Sequence, residues 1–157
     1  MSKRSVNLLR KIKGDFNVSA AGFHVQNRPT INAAASSTTT LVAADSGRVV
    51  LLAPNAAICV LPAPVVGMSF LIVHTGAFDT TKSEVRTDAG TSLFRGGHAA
   101  KNGSDCAKPG STDDRAEFTT ASEAGDHIEV VCISATEWFV RGIAATSTSL
   151  VYTDGGS

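Results

Sequence analysis

From residue 39 onward the apolar residues come in short runs, each bounded by Gly, Pro, Asn or Asp. Residues 39–43 lead into the turn Asp45-Ser46-Gly47, 48–52 stop at Pro54-Asn55, and 57–61 close on Pro62-Ala63-Pro64. Gly67 then opens 68–74, the strongest apolar run. The punctuating residues are those that turns require, since Gly reaches positive φ and Pro fixes its own φ. Runs this short, recurring about every ten residues, predict the strands of a β-sandwich or barrel. Further strands are expected at 84–87, 92–95, 115–120 and 149–152. A hairpin of 127–133 with 138–142 is expected to turn at Ser134-Ala135-Thr136-Glu137. Residues 96–114 hold almost no large apolar side chain and read as a long loop, a feature usually functional, partner-bound or mobile.

The region before the body follows a different pattern. Ser5 can N-cap a helix over 6–13, which Gly14 would end, with Val6, Leu9 and Ile12 at helical spacing. Two turns are too few to persist alone in water, where about 12–15 residues are needed, so this segment is expected to order only on a partner. Residues 29–40, Pro-Thr-Ile-Asn-Ala-Ala-Ala-Ser-Ser-Thr-Thr-Thr, read as an extended linker. The expected organisation is a basic extended N-terminal arm and linker over 1–38 and a body over 39–157. The fold class is all-β, a β-sandwich or jelly-roll-like body with an extended arm.

Composition supports strands over helices: Val and Ile total 22 against nine Leu, with 32 Ser and Thr. The net charge of zero hides an asymmetry. Residues 1–30 hold Lys3, Arg4, Arg10, Lys11, Lys13 and Arg28 against Asp15, a net of +5, which leaves −5 on the rest. Such an arm is a solvated tail, a docking arm on another protein, or a contact to membrane or nucleic acid. The third choice is weakened by the short basic face and the absence of interleaved aromatics. No run approaches the ~18 apolar residues of a membrane span. No apolar stretch follows the basic N-terminus, so no secretory signal is read. Cys59, Cys106 and Cys132 are then expected as reduced thiols, and the sequons at Asn17 and Asn102 as chance matches.

Candidate chemistry is sparse. His24, His74, His98 and His127 form no paired metal-ligand spacing with one another or with the cysteines, and His98 with Cys106 in the long loop is a weak pair. Asp113-Asp114 reads as a solvated doublet. Arg95-Gly96-Gly97-His98 could cradle an anion on its backbone N–H groups, but a flexible turn is the expected role. No nucleophile elbow, phosphate loop or dinucleotide fingerprint occurs. Phe70 and Trp138 are expected as core anchors. No metal, cofactor or catalytic residue is assigned, and an enzyme is the least supported class.

Five segments taken together carry a resemblance: Leu41-Val42-Ala43-Ala44-Asp45-Ser46-Gly47, Leu61-Pro62-Ala63-Pro64, Gly67-Met68-Ser69-Phe70, Gly125-Asp126-His127-Ile128-Glu129, and Trp138. Their order and spacing over about residues 38–143 resemble a β-module of tailed-phage virion proteins, found in head decoration (cement) proteins and fibres. The resemblance implies a trimeric body without catalytic function. The expected function is then a capsid decoration protein on the head surface of a virion, made in the host cytoplasm. Its expected partners are the major capsid protein and itself, as a homotrimer, with no nucleic acid and no membrane. The expected capsid-binding arm residues are Lys3, Arg4, Val6, Leu9, Arg10, Lys11, Ile12 and Lys13. Two alternatives stand beside it: a head- or tail-fibre component facing a host receptor through 96–114, and a carbohydrate-binding β-sandwich stacking Trp138 or Tyr152 on a sugar.

Overall fold

A computed structural model describes residues 28–77, 81–88, 92–103 and 106–155, together with the backbone of two short strands, β1 (Asn17–Val18) and β2 (His24–Val25). These two pair antiparallel. The body strands are β3 (Thr30–Ala33), β4 (Thr38–Thr40), β5 (Val49–Leu52), β6 (Ile58–Val60), β7 (Ser69–His74), β8 (Ser83–Arg86), β9 (Leu93–Ala100), β10 (Arg115–Phe118), β11 (His127–Ser134), β12 (Glu137–Ala144) and β13 (Leu150–Thr153). One sheet runs β3-β5-β7-β11-β12-β9 and the other β13-β10-β8-β6-β4. The body is therefore an all-β, two-sheet sandwich.

The roughly ten-residue spacing has a specific origin. From β3 to β8 the chain alternates between the sheets, so strands adjacent in sequence lie in opposite layers. Every second strand becomes a parallel neighbour: Thr30 pairs with Val49 and Val49 with Leu71 in one sheet, Thr38 with Ile58 and Ile58 with Glu84 in the other. A parallel pair needs a long crossover, usually a helix. Here the crossover is itself a strand of the opposite sheet. After β8 the pairing turns antiparallel, β7 with β11 and β8 with β10. The expected hairpin forms as β11–β12, with Cys132 opposite Trp138 and a register shift before Ser134.

Alternate positions of each strand fill the interior. The six-stranded sheet contributes Val50, Leu52, Phe70, Ile72, Phe94, Ile128, Val130, Cys132, Trp138 and Val140, and the five-stranded sheet Cys59, Val85, Ala116, Phe118 and Leu150. Phe70 and Trp138 are fully buried with ring centroids 6.1 Å apart, the anchoring role expected of them. Truncating such a buried ring to Ala costs about 3–5 kcal/mol. Burial pushes the Cys59 thiol up to about 12, so it behaves as a small apolar side chain. All three cysteines are free thiols.

Four local expectations change. Residues 29–40, read as a linker, contain β3 and β4, and Ala33 is part of the core. Arg95-Gly96-Gly97-His98 is not a turn but the middle of β9. A Cβ on Gly96 would lie 2.1 Å from the Val140 carbonyl oxygen and one on Gly97 2.3 Å from that of Ala107. With φ of 102° and 151°, both positions suit glycine. The expected long loop is correspondingly shorter, and residues 106–113 run back along β9. Ala107 bridges His98, and the Phe94 N–H donates to the Asp113 carbonyl at 2.9 Å. The Arg95 guanidinium donates to the Gly110 and Ser111 carbonyls. This segment covers the edge that β9 would otherwise leave open. Asp114, expected to be solvated, is buried and accepts the Gly155 N–H at 2.7 Å.

Candidate functional site

The arm residues Lys3, Arg4, Val6, Leu9, Arg10, Lys11, Ile12 and Lys13 lie outside the described residues. The structure does define where the N-terminal segment joins the body. Arg28 and Pro29 are exposed, the Val49 N–H donates to the Pro29 carbonyl at 3.2 Å, and the chain then forms β3 at the margin of the six-stranded sheet. β3, β5 and β7 all start at this end of the sandwich, and β4, β6 and β8 all finish there. It is called the proximal end below. The connections 41–48 and 61–68 cross between sheets here and are tied together: the Gly47 N–H donates to the Ser69 carbonyl at 2.7 Å, and the Ser69 N–H to Ser46 Oγ at 3.1 Å.

Both connections present apolar side chains to solvent. Val42, Val65 and Val66 are 54%, 59% and 67% exposed, more than any other large apolar residue among those described. Neither loop is slack. Val42 N–H donates to Asp45 Oδ2 at 3.0 Å across a single turn of 3-10 helix (Ala43–Asp45), and Asp45 pairs with Arg48 at 3.3 Å. A turn brings the Met68 N–H to the Val65 carbonyl at 3.1 Å, while Gly67 N–H reaches the Cys132 carbonyl at 3.0 Å. Pro62 and Pro64 limit the backbone just before it.

The opposite, distal end is polar and is bonded around Asp126. Asp126 is fully buried and accepts from Lys101 Nζ at 2.7 Å and from the Glu123 N–H at 3.0 Å. Burial pushes its carboxyl up, but the hydrogen bonds from Lys101, Glu123 and Ala145 outweigh that and hold it below its usual range. Two buried histidines flank it. His74 stacks on Phe118 with centroids 5.5 Å apart, and His98 tilts against Tyr152 at 5.9 Å. Burial lowers both imidazoles, against the opposing pull of Asp126. Thus His98 faces the interior while Cys106 is exposed. No cluster of metal-ligating side chains forms among the described residues. The distal arrangement joins three connections of the sandwich.

The two outer sheet faces differ in character. On the five-stranded sheet Glu84 and Glu117 sit opposite each other, neutralised by Arg86 at 2.7 Å and Lys82 at 2.5 Å. Hydrogen bonding from Arg86 holds the Glu84 carboxyl below its usual range. On the six-stranded sheet Val49, Leu51, Leu71, Val73 and Val131 point outward half-buried, and Ile133, Phe139 and Ile143 are exposed. The pair of Glu129 and Arg141, 2.5 Å apart, interrupts them. A shallow depression there is lined by Leu71, His127, Glu129, Arg141, Gly142 and Ile143.

Ring stacking on a sugar is not available from Trp138, which has no exposed surface, and Tyr152 is packed against His98. The exposed valine turns were missed in the sequence because Val beside Pro and Gly reads equally as a strand end. The available signal was the doublet Val65-Val66, placed between Pro64 and Gly67 where a turn, not a strand, was already expected. No protein-family model matches this chain, and no curated protein sequence does.

Proposed function

We propose that this protein is a capsid decoration (cement) protein, binding the outer surface of a phage head and bracing neighbouring major capsid subunits. The observation that carries this reading is the charge division between a +5 segment over residues 1–30 and a −5 remainder. The basic segment joins the body at one end only, beside two rigid loops. A basic segment that orders on its partner can wrap a large acidic surface. An acidic body keeps the decorated particle soluble and discourages clustering. Three bodies around a three-fold axis, each contributing one arm, would convert weak single contacts into a firm hold through effective concentration. Val6, Leu9 and Ile12 would supply the apolar stripe of an arm helix, and the five lysines and arginines between residues 3 and 13 its charge.

The test uses undecorated shells assembled from the major capsid protein proposed as its partner. Full-length protein is expected to bind them at low salt and to bind more weakly at high salt, because exposed charges are screened beyond about 3 Å at 1 M. A full-length variant with Lys3, Arg4, Arg10, Lys11 and Lys13 changed to Gln should lose most low-salt binding. Failure of the unmodified chain to bind at any salt rejects the decoration function.

A further inference from the structure

We infer that the proximal valine turns, Val42 and Val65-Val66, form a second and apolar contact on the same protein surface that the basic arm engages. The inference rests on the decoration reading for the identity of that surface. The residues preceding Arg28 number 27, and β1 and β2 among them fold back on each other, so their span is shorter than that of a fully extended chain of this length. Wherever they go, they start at the proximal end, since Pro29 is bonded to Val49. The anchor point of the arm thus lies on the same end as the valines. The charge of the arm fixes the sign of the partner as acidic.

The turns have the properties of a preformed contact. Their backbones are bonded to Ser69, Cys132 and Asp45, so little ordering entropy remains to be lost on binding. Three branched aliphatic side chains on fixed turns fit a shallow apolar depression in a protein. They suit a lipid surface less well. Membrane-seeking loops carry aromatic rings and unpaired cations beside their apolar tips. The loops 41–48 and 61–68 contain no aromatic residue and no lysine, and Arg48 is paired with Asp45.

The experiment compares the full-length chain, Val65→Asp/Val66→Asp, the milder Val65→Ser/Val66→Ser, and Ala124→Asp at the distal end. Each is tested on the same undecorated shells at low and high salt, and on vesicles of three parts phosphatidylcholine to one part phosphatidylserine. Thermal melts monitored by circular dichroism confirm that each variant is folded. Both valines are largely exposed, so their replacement should leave the melt unchanged. Expected is at least about tenfold weaker shell binding for both valine variants, the equivalent of one buried aliphatic side chain. The salt dependence should be retained, the Ala124→Asp variant should bind as the unmodified chain does, and any vesicle binding that the basic arm produces at low salt should be the same in all variants. Shell binding by the valine variants equal to that of the unmodified chain overturns the inference and leaves the decoration reading intact. An equal loss in Ala124→Asp also overturns it, because any added negative charge would then suffice. Absence of shell binding by the unmodified chain overturns both, and valine-dependent vesicle binding replaces the protein partner with a membrane.

Discussion

At the scale of single residues, the distal end ties stability to pH. His74 and His98 are buried, and their imidazoles are held below the ordinary value, first by burial. The folded state therefore favours their neutral forms. An unfolded chain takes up those protons near pH 6.5, so the stabilisation is complete above that pH and declines as pH falls through it toward the lowered folded values. Asp126 acts in a second, more acidic window. Its carboxyl is held low, so its contribution is present above the unfolded value near 3.9 and is lost as pH falls through the folded one. Urea midpoints measured from pH 8 to pH 3 should fall in two stages, the first beginning near 6.5. The double variant His74→Gln/His98→Gln should flatten the first stage whatever it does to stability at pH 8. Asp126→Asn weakens the hydrogen bonds that the buried carboxylate accepts from Lys101 and the Glu123 N–H and should lower stability at neutral pH by about 1–3 kcal/mol. An unchanged first stage in the histidine variant would remove the linkage to these two residues.

At the scale of elements, the legible parts of the fold were those specified by local sequence. The β11–β12 hairpin could be read because its two apolar runs and the turn between them are contiguous. The parallel pairs of β3, β5 and β7 could not, because their partners are about twenty residues apart and belong to alternate layers. Periodicity reports which face of a strand is buried, not which strand lies beside it. The double glycine in β9 failed for a related reason. In one dimension Gly96-Gly97 is a turn signal; in three, it is where the Val140 and Ala107 carbonyls approach too closely for any Cβ. Of the candidate site, the arm residues were singled out by charge and lie outside the described residues, whereas the valine turns emerged only when the topology placed them at the end where Pro29 joins the body. The β9 edge supplies its own test. The Phe94 and His98 amides donate to the Asp113 and Ala107 carbonyls, so both should exchange with deuterium at rates typical of interior strands. Gly97→Ala should push 106–113 off that edge, speed both exchanges, and cost about 2–4 kcal/mol from the clash and the strained φ together. Fast exchange of both amides in the unmodified chain would mean that the edge is open.

At the scale of the whole molecule, the proposed function depends on copy number. One arm carries at most five cations between residues 3 and 13, and contacts of exposed charges are individually weak at physiological salt, where screening acts over about 8 Å. One arm is thus a poor staple. Three arms on one body behave differently, because once the first is docked the others search a small volume at millimolar effective concentration. Under the proposed function the protein is therefore expected to form an oligomer before it meets the shell, held by the bodies rather than by the arms. Sedimentation velocity of the free protein should show a species of about three times the 16.2 kDa chain mass. Changing Lys3, Arg4, Arg10, Lys11 and Lys13 to Gln should leave that species intact while weakening shell binding. A free protein that sediments as a monomer at micromolar concentration would remove the avidity step. Docking would then rest on a single arm and its neighbouring valine turns, with occupancy rising in simple proportion to concentration at low coverage.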